Sequence, residues 1–98
     1  MADPRQIQDL DIQVYTADWC PDCRRLDRWM AERGISFPKV DIAADPEAAD
    51  RLELETGKRA IPFLLVNGRT WVRGYHKELP QRLDGELLVK EVLEAAAS

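Results

Sequence analysis

The segment Trp19-Cys20-Pro21-Asp22-Cys23 lies where a predicted strand gives way to a predicted helix, and it decides how the rest of the chain is interpreted. Residues three positions apart share one face of the first helical turn, so the two sulfurs can form a disulfide with little backbone movement. Pro21 suits the first helical position, where its missing N–H costs nothing and its φ is already helical. The spacing predicts a redox-active cysteine pair at the N-terminus of a helix.

The two thiols are predicted to differ in reactivity. Cys20 lies at the helix end, where unpaired N–H groups and the positive end of the helix dipole favour a thiolate, whereas Cys23 falls one turn inside. Arg24 adds positive potential near the thiol, while Asp18 and Asp22 oppose its ionisation, so we expect a modest activation. Cys20 is therefore the expected attacking cysteine and Cys23 the resolving one.

The length and net charge of the chain limit the classes of protein to which it can belong. Ninety-eight residues predict a single domain over residues 1–98, and a formal charge of −4 with scattered basic residues argues against a nucleic-acid-binding surface. Residues 1–11 contain no apolar run like a signal-peptide core, and no segment is long enough to span a membrane. We expect a cytoplasmic protein, most simply a monomer.

In a reducing compartment a closely spaced cysteine pair indicates redox or metal chemistry rather than a structural disulfide.

Hydrophobic periodicity and turn residues predict the elements of the first half of the chain. They are a strand over residues 12–16, a helix over 21–33 ended by Gly34, a short edge strand within 36–42, and a helix over 46–56 ended by Gly57. Asp45 and Pro46 suit the N-cap and first position of the second helix.

The second half begins with a hairpin signal. Residues 63–66 and 70–72 are rich in β-formers and flank Asn67-Gly68, which predicts a two-residue type I′ turn. Residues 79–97 return to helical character, broken at Asp84-Gly85, and Asp84 is a candidate cap for a final helix. The order strand, helix, strand, helix, hairpin, helix predicts an α/β thioredoxin-like fold, with a four-stranded mixed sheet and helices on both faces.

The chain resembles the glutaredoxin family over nearly its whole length, most closely the bacterial branch that includes mycoredoxins and the redoxins serving ribonucleotide reductase. The likeness rests on residues 14–23, VYTADWCPDC, and on residues 56–62, TGKRAIP, which look like the family's strand-to-motif segment and its proline loop. Asn67-Gly68 and Gly74-Tyr75 fall where the family has its hairpin turn and the glycine before its last helix.

The resemblance implies a thiol–disulfide oxidoreductase with a substrate site beside the cysteines. It implies that Pro62 follows a cis peptide bond and that the backbone of Ile61 pairs with an extended substrate or with glutathione. Arg59 is either a solvated charge or a partner for a substrate carboxylate, and Trp19 either packs or forms a contact platform. The candidate substrate-binding residues are Trp19, Pro21, Arg59, Ile61, Pro62, Gly74 and Tyr75.

Three differences from the family leave the electron donor open. Ala17 stands where glutathione-using members often have a basic residue, and Ala60 stands where the family has threonine. Residues 75–79 have the length found in redoxins linked to thioredoxin reductase, and they lack the paired aspartates common in glutathione binders. We expect no bound cofactor, with either glutathione or thioredoxin reductase and NADPH as donor.

The expected function is reduction of protein disulfides, or of mixed disulfides with glutathione or another low-molecular-weight thiol. The expected partners are therefore a disulfide-containing substrate and a reductase. One alternative is a module that binds a metal or an iron–sulfur cluster. The sequence has two cysteines and one histidine, His76, so a complete intrachain zinc site would need carboxylates as well. Another is an interaction domain that binds extended peptides near Pro62. His76 is expected on a surface loop, because thiolate attack needs no separate base.

Overall fold

The computed structural model describes residues 3–98 and contains four strands and three α-helices. A 3₁₀ helix, Pro4–Ile7, precedes them. The strands and helices in chain order are β1 Ile12–Thr16, α1 Pro21–Glu32, β2 Lys39–Asp41, α2 Pro46–Thr56, β3 Phe63–Val66, β4 Thr70–Arg73 and α3 Gly85–Ala97.

The strands form one mixed sheet in the order β2-β1-β3-β4. Strands β1 and β2 are parallel and are joined through α1, whereas β1 pairs antiparallel with β3 and β3 antiparallel with β4. The predicted element order and mixed sheet are confirmed. Because β1 and β3 are antiparallel neighbours at the centre of the sheet, the loop that follows β1 and the loop that precedes β3 lie at the same end of the sheet.

Side chains of the central strands point alternately to the two faces of the sheet, and each face carries a hydrophobic core. Val14 and Leu64 contribute to the cluster beneath α1, α3 and the 3₁₀ helix, while Tyr15 and Leu65 contribute to the cluster beneath α2. This is the two-residue period expected of a strand covered on both faces. The prediction of helices on both faces is therefore confirmed.

Two features near the chain start and the sheet edge differ from the sequence prediction. The 3₁₀ helix was not predicted; Asp3 accepts a hydrogen bond from the N–H of Arg5, and Ile7 is fully buried in the core. Four residues are too few to show a helical period. The edge strand β2 is shorter than the predicted 36–42 segment, because Pro38 has no N–H for a ladder and stands just before it.

The predicted hairpin is present, and its strands have the predicted bounds except that β4 continues one residue further, to Arg73. Asn67 and Gly68 both have positive φ, and the N–H of Arg69 donates to the carbonyl of Val66 at 3.2 Å. These are the features of the predicted turn, but strand pairing begins at Val66 and Thr70. Three residues therefore connect β3 to β4.

The prediction of helical character over residues 79–83 is wrong. This segment lies in a loop of turns, in which the N–H of Leu79 donates to the carbonyl of His76 and the N–H of Arg82 to that of Leu79. Pro80 disfavours helix because it lacks an N–H and restricts the residue before it. The cap is confirmed, since the Asp84 carboxylate accepts the N–H of Leu87 at 3.1 Å and α3 begins at Gly85.

Helix α3 starts directly against α1. A Cβ at Gly85 would overlap the indole of Trp29. The absence of a side chain at position 85 therefore allows the indole to cover the first turn of α3. Among residues 3–98, no helix has the length and apolar character that crossing a membrane requires.

Candidate active site

Cys20 is the N-cap residue of α1. Its backbone is extended, with φ −92° and ψ 114°, and its Sγ accepts the N–H of Cys23 at 3.1 Å. Pro21 occupies the start of the helix, as predicted. The Cys20 sulfur thus lies at the positive end of the helix, in a hydrogen bond with a backbone N–H.

Cys23 lies in the first turn of α1, and both cysteines are free thiols. Each is only 5% exposed. Burial, followed by the neighbouring Cys20, raises the pKa of Cys23 from 9.0 to about 11. At neutral pH Cys23 is therefore a thiol that must lose its proton before it can resolve a mixed disulfide.

The titration of Cys23 predicts a pH dependence of stability. Because its folded pKa of about 11 exceeds the usual 9.0, the folded protein retains a proton that the unfolded chain loses between these values. The free energy of unfolding should then fall as pH rises through this window and level off above it. Urea unfolding in the presence of a reductant, at about pH 8 and about pH 10, measures the fall.

Cys23→Ser is the control, because it removes the Cys23 thiol and leaves the other titratable groups of the protein in place. Its free energy of unfolding should fall less between the same two pH values than that of the wild type. An equal fall in the two proteins would contradict the assignment.

The loop before β3 places its backbone beside Cys20. The Ile61-Pro62 peptide bond is cis, as the resemblance implies, and the Cys20 thiol donates to the carbonyl of Ile61 at 3.7 Å. Ile61 is buried and Pro62 almost completely so. The structure thus brings Cys20, Ile61 and Pro62 together at one end of the two central strands.

Gly74 and Tyr75 lie next to this loop. The N–H of Gly74 donates to the carbonyl of Pro62 at 2.9 Å, and a Cβ at position 74 would lie 3.0–3.1 Å from Leu26, Leu64 and Pro62. A side chain at position 74 would therefore require these neighbouring side chains to shift slightly. Tyr75 is buried, and the centroid of its ring lies 5.2 Å from the guanidinium carbon of Arg73 and 5.9 Å from that of Arg82.

Two predicted contact residues have contrasting surroundings. Trp19 is 66% exposed immediately before Cys20, so its indole is available to a bound molecule. The guanidinium of Arg59 instead pairs with Glu53 at 2.8 Å and Asp50 at 3.0 Å, both on α2. Arg59 therefore has two carboxylate partners within the protein.

The structure reveals an ion pair that the sequence did not predict. The guanidinium of Arg82 donates two hydrogen bonds to the Asp22 carboxylate, at 2.9 and 2.7 Å, and Arg25 also contacts this carboxylate. The Arg82 hydrogen bonds are the main cause that lowers the pKa of Asp22. The negative charge expected to oppose ionisation of Cys20 is therefore compensated. No local sequence signal pairs residues so far apart.

The prediction that His76 lies on the surface is wrong, because its side chain is only 1% exposed. The N–H of Asp84 donates to Nδ1 at 3.1 Å, and Nε2 lies 2.9 Å from Glu91 on α3. Since Nδ1 accepts, Nε2 carries the proton and donates to Glu91. His76 joins the loop to α3. Among residues 3–98, no three or more His, Cys, Asp and Glu side chains converge to hold a metal ion.

Comparison of the sequence with known proteins identifies relatives that cover most of the chain. The Glutaredoxin family model matches residues 12–71. The glutaredoxin-like protein NrdH of Salmonella typhimurium is 31% identical over 74 residues, covering 76% of this chain and 89% of the relative.

Solved structures show the same fold. The crystal structure of a glutaredoxin from Archaeoglobus fulgidus superposes with a TM-score of 0.56 at 20% identity, over 71% of this chain and 80% of that one. The solution structure of a glutaredoxin from Brucella melitensis gives a TM-score of 0.53 at 17% identity, over 93% and 95% of the two chains. With its Cys20-x-x-Cys23 pair at a helix N-terminus, this chain belongs to the glutaredoxin family of thiol–disulfide oxidoreductases.

Proposed function

We propose that this protein reduces protein disulfides, and mixed disulfides of low-molecular-weight thiols, through Cys20 and Cys23. The observation that carries the proposal is the position of the Cys20 sulfur. It caps α1 by accepting the N–H of Cys23 and lies beside the carbonyl of Ile61. The attacking sulfur is thus held at the helix N-terminus, next to backbone groups that can bind an extended substrate.

The reaction has two exchange steps. The thiolate of Cys20 attacks one sulfur of the substrate disulfide, the substrate S–S bond breaks, and the leaving sulfur takes a proton from solvent. Cys23 then loses its proton and attacks the Cys20 sulfur, which releases the second substrate thiol and forms the Cys20–Cys23 disulfide. Two electrons have passed to the substrate, and a reductant must return them to the protein.

The substrate site in this proposal surrounds Cys20. The backbone at Ile61 and Pro62 pairs with an extended segment, and the exposed indole of Trp19 contacts it from the other side. Three more candidates from the sequence complete the site: Pro21, Gly74 and Tyr75. Arg59 takes part only if a substrate carboxylate displaces Asp50 and Glu53.

Thioredoxin reductase with NADPH is the proposed electron donor, and glutathione is the second candidate. Two features support this order. Ala17 supplies no charge for a glutathione carboxylate, and Arg59 is already paired with two carboxylates. The proposed location is the cytoplasm, where both donors are reducing.

The deciding experiment supplies the purified protein with each donor system in turn. One reaction contains thioredoxin reductase and NADPH, and the other contains glutathione, glutathione reductase and NADPH. The substrates are an aromatic disulfide, whose released thiol absorbs light, and a peptide carrying a glutathione mixed disulfide. NADPH consumption that depends on the protein supports the proposed function, and the faster system identifies the donor. If neither substrate is reduced in either system, the proposed function is wrong.

A further inference from the structure

The loop over residues 75–84 holds Arg82 in a backbone conformation that residues other than glycine seldom adopt. Arg82 has a φ of +61°, in the left-handed region. Its N–H donates to the carbonyl of Leu79 at 3.0 Å, and its own carbonyl accepts the N–H of His76 at 2.6 Å. These two hydrogen bonds hold the unfavourable conformation and fix the direction of the Arg82 side chain.

The loop is itself anchored to α3. The buried imidazole of His76 contacts Glu91 through Nε2 and accepts the N–H of Asp84 through Nδ1. Because the N–H of His76 also binds the carbonyl of Arg82, a continuous set of hydrogen bonds runs from α3 to Arg82. The guanidinium therefore has a rigid support on an element distant in sequence from the cysteines.

From this support the guanidinium reaches the redox motif. Its Nε and Nη2 atoms bind the two oxygens of Asp22 at 2.9 and 2.7 Å, and the Asp22 side chain is 17% exposed. A planar guanidinium that makes two parallel bonds to one carboxylate is a strong and geometrically specific arrangement. It links the loop over residues 75–84 to the first turn of α1.

We propose that Arg82 is a positioning residue for the thiol–disulfide reaction, which holds the first turn of α1 and, together with Arg25, offsets the negative charge of Asp22 beside the Cys20 sulfur. Asp22 follows Cys20 by two residues, so an uncompensated carboxylate would repel the thiolate. The proposal rests on the proposed function, because it concerns the same thiol.

The other charges around the motif do not provide this support. Arg25 also binds Asp22, but it lies on α1 itself and moves with that helix. The side chain of Arg24 donates to the backbone carbonyl of Asp18 rather than to a carboxylate. The charges on the proline loop are Lys58 and Arg59, and Arg59 pairs with α2. Among residues 3–98, the cation that binds Asp22 from another element is Arg82.

The test measures the rate at which iodoacetamide alkylates Cys20, in a Cys23→Ser background so that a single thiol reacts. Arg82→Gln is expected to slow alkylation at neutral pH by about two- to fivefold, and to move the pH profile of the rate to higher pH. Adding Asp22→Asn should restore the rate, because Arg25 remains and the net charge of the three side chains returns to that of the original group. Arg82→Lys keeps the positive charge but cannot make the two parallel hydrogen bonds to Asp22. Its alkylation rate should lie between those of the parent and Arg82→Gln.

Urea unfolding of each variant confirms that the measured protein is folded, and Arg82→Lys supplies the comparison if Arg82→Gln does not fold. Equal rates in the parent and the Arg82 variant would overturn the proposal. So would a loss that remains undiminished after Asp22→Asn is added, because it would show a purely structural effect. The alkylation rate needs no disulfide substrate, so these outcomes are distinct from a failure of the wild-type protein to reduce disulfides.

Discussion

Replacement of Cys20 by serine is expected to lower the rate of disulfide reduction by at least about a thousandfold, to the background rate. The sulfur of Cys20 accepts the N–H of Cys23 and lies beside Ile61 at the proposed site. A serine hydroxyl in the same place remains protonated at neutral pH and cannot attack a disulfide sulfur. Coupled NADPH oxidation with an aromatic disulfide and the preferred donor measures the loss.

Cys23→Ser is the matched control, since it changes the other member of the pair and leaves the attacking thiol in place. This variant should attack a protein disulfide once and then stop as a mixed disulfide at Cys20, which intact-mass spectrometry detects. It should still remove glutathione from a peptide if a free thiol can resolve the adduct. A Cys20→Ser protein with wild-type turnover would show that the two roles are assigned wrongly.

Leu64→Ala is expected to destabilise the protein by about 3–5 kcal/mol, the second large effect. Leu64 lies on the central strand β3, between Val14 on β1 and Val72 on β4, and is 0% exposed. Truncation removes apolar contacts and leaves a cavity that a close-packed sheet cannot fill. Domains of this size are typically stable by about 5–15 kcal/mol, so the loss is a large fraction of the total. Urea unfolding measures the change.

Leu54→Ala provides the comparison with the same chemical change. Leu54 lies on α2 and is 86% exposed, so its truncation should alter stability by no more than about 0.5 kcal/mol. A difference of less than about 1 kcal/mol between the two variants would contradict the packing described for β3.

Sequence patterns predicted the elements that have strong local signals. Asp45 caps α2, Gly57 ends it with a φ of +79°, and Asp84 caps α3, each as expected from residues that lie side by side. The cysteine pair was found in the same way, since its chemistry depends on the spacing of two residues at a helix start. The cis bond before Pro62 was implied by family resemblance and not by local pattern.

What the sequence did not predict depends on contacts between distant segments. The link between Arg82 and Asp22 joins residues 60 positions apart, and neither residue carries a signal for the other. The burial of His76 likewise depends on Glu91 and on a backbone N–H that reach it only when α3 docks. Long-range pairs of polar groups leave no periodicity, so single-sequence patterns miss them.

The contact between Trp29 and Gly85 has a consequence for the evolution of this fold. Because a Cβ at position 85 would occupy the volume of the indole, an added methyl group there requires a smaller or displaced residue at position 29. The two positions should therefore vary together among homologous chains. A homologue that carries alanine at the first position of its final helix should have lost the tryptophan, and with it the aromatic cover of that helix end.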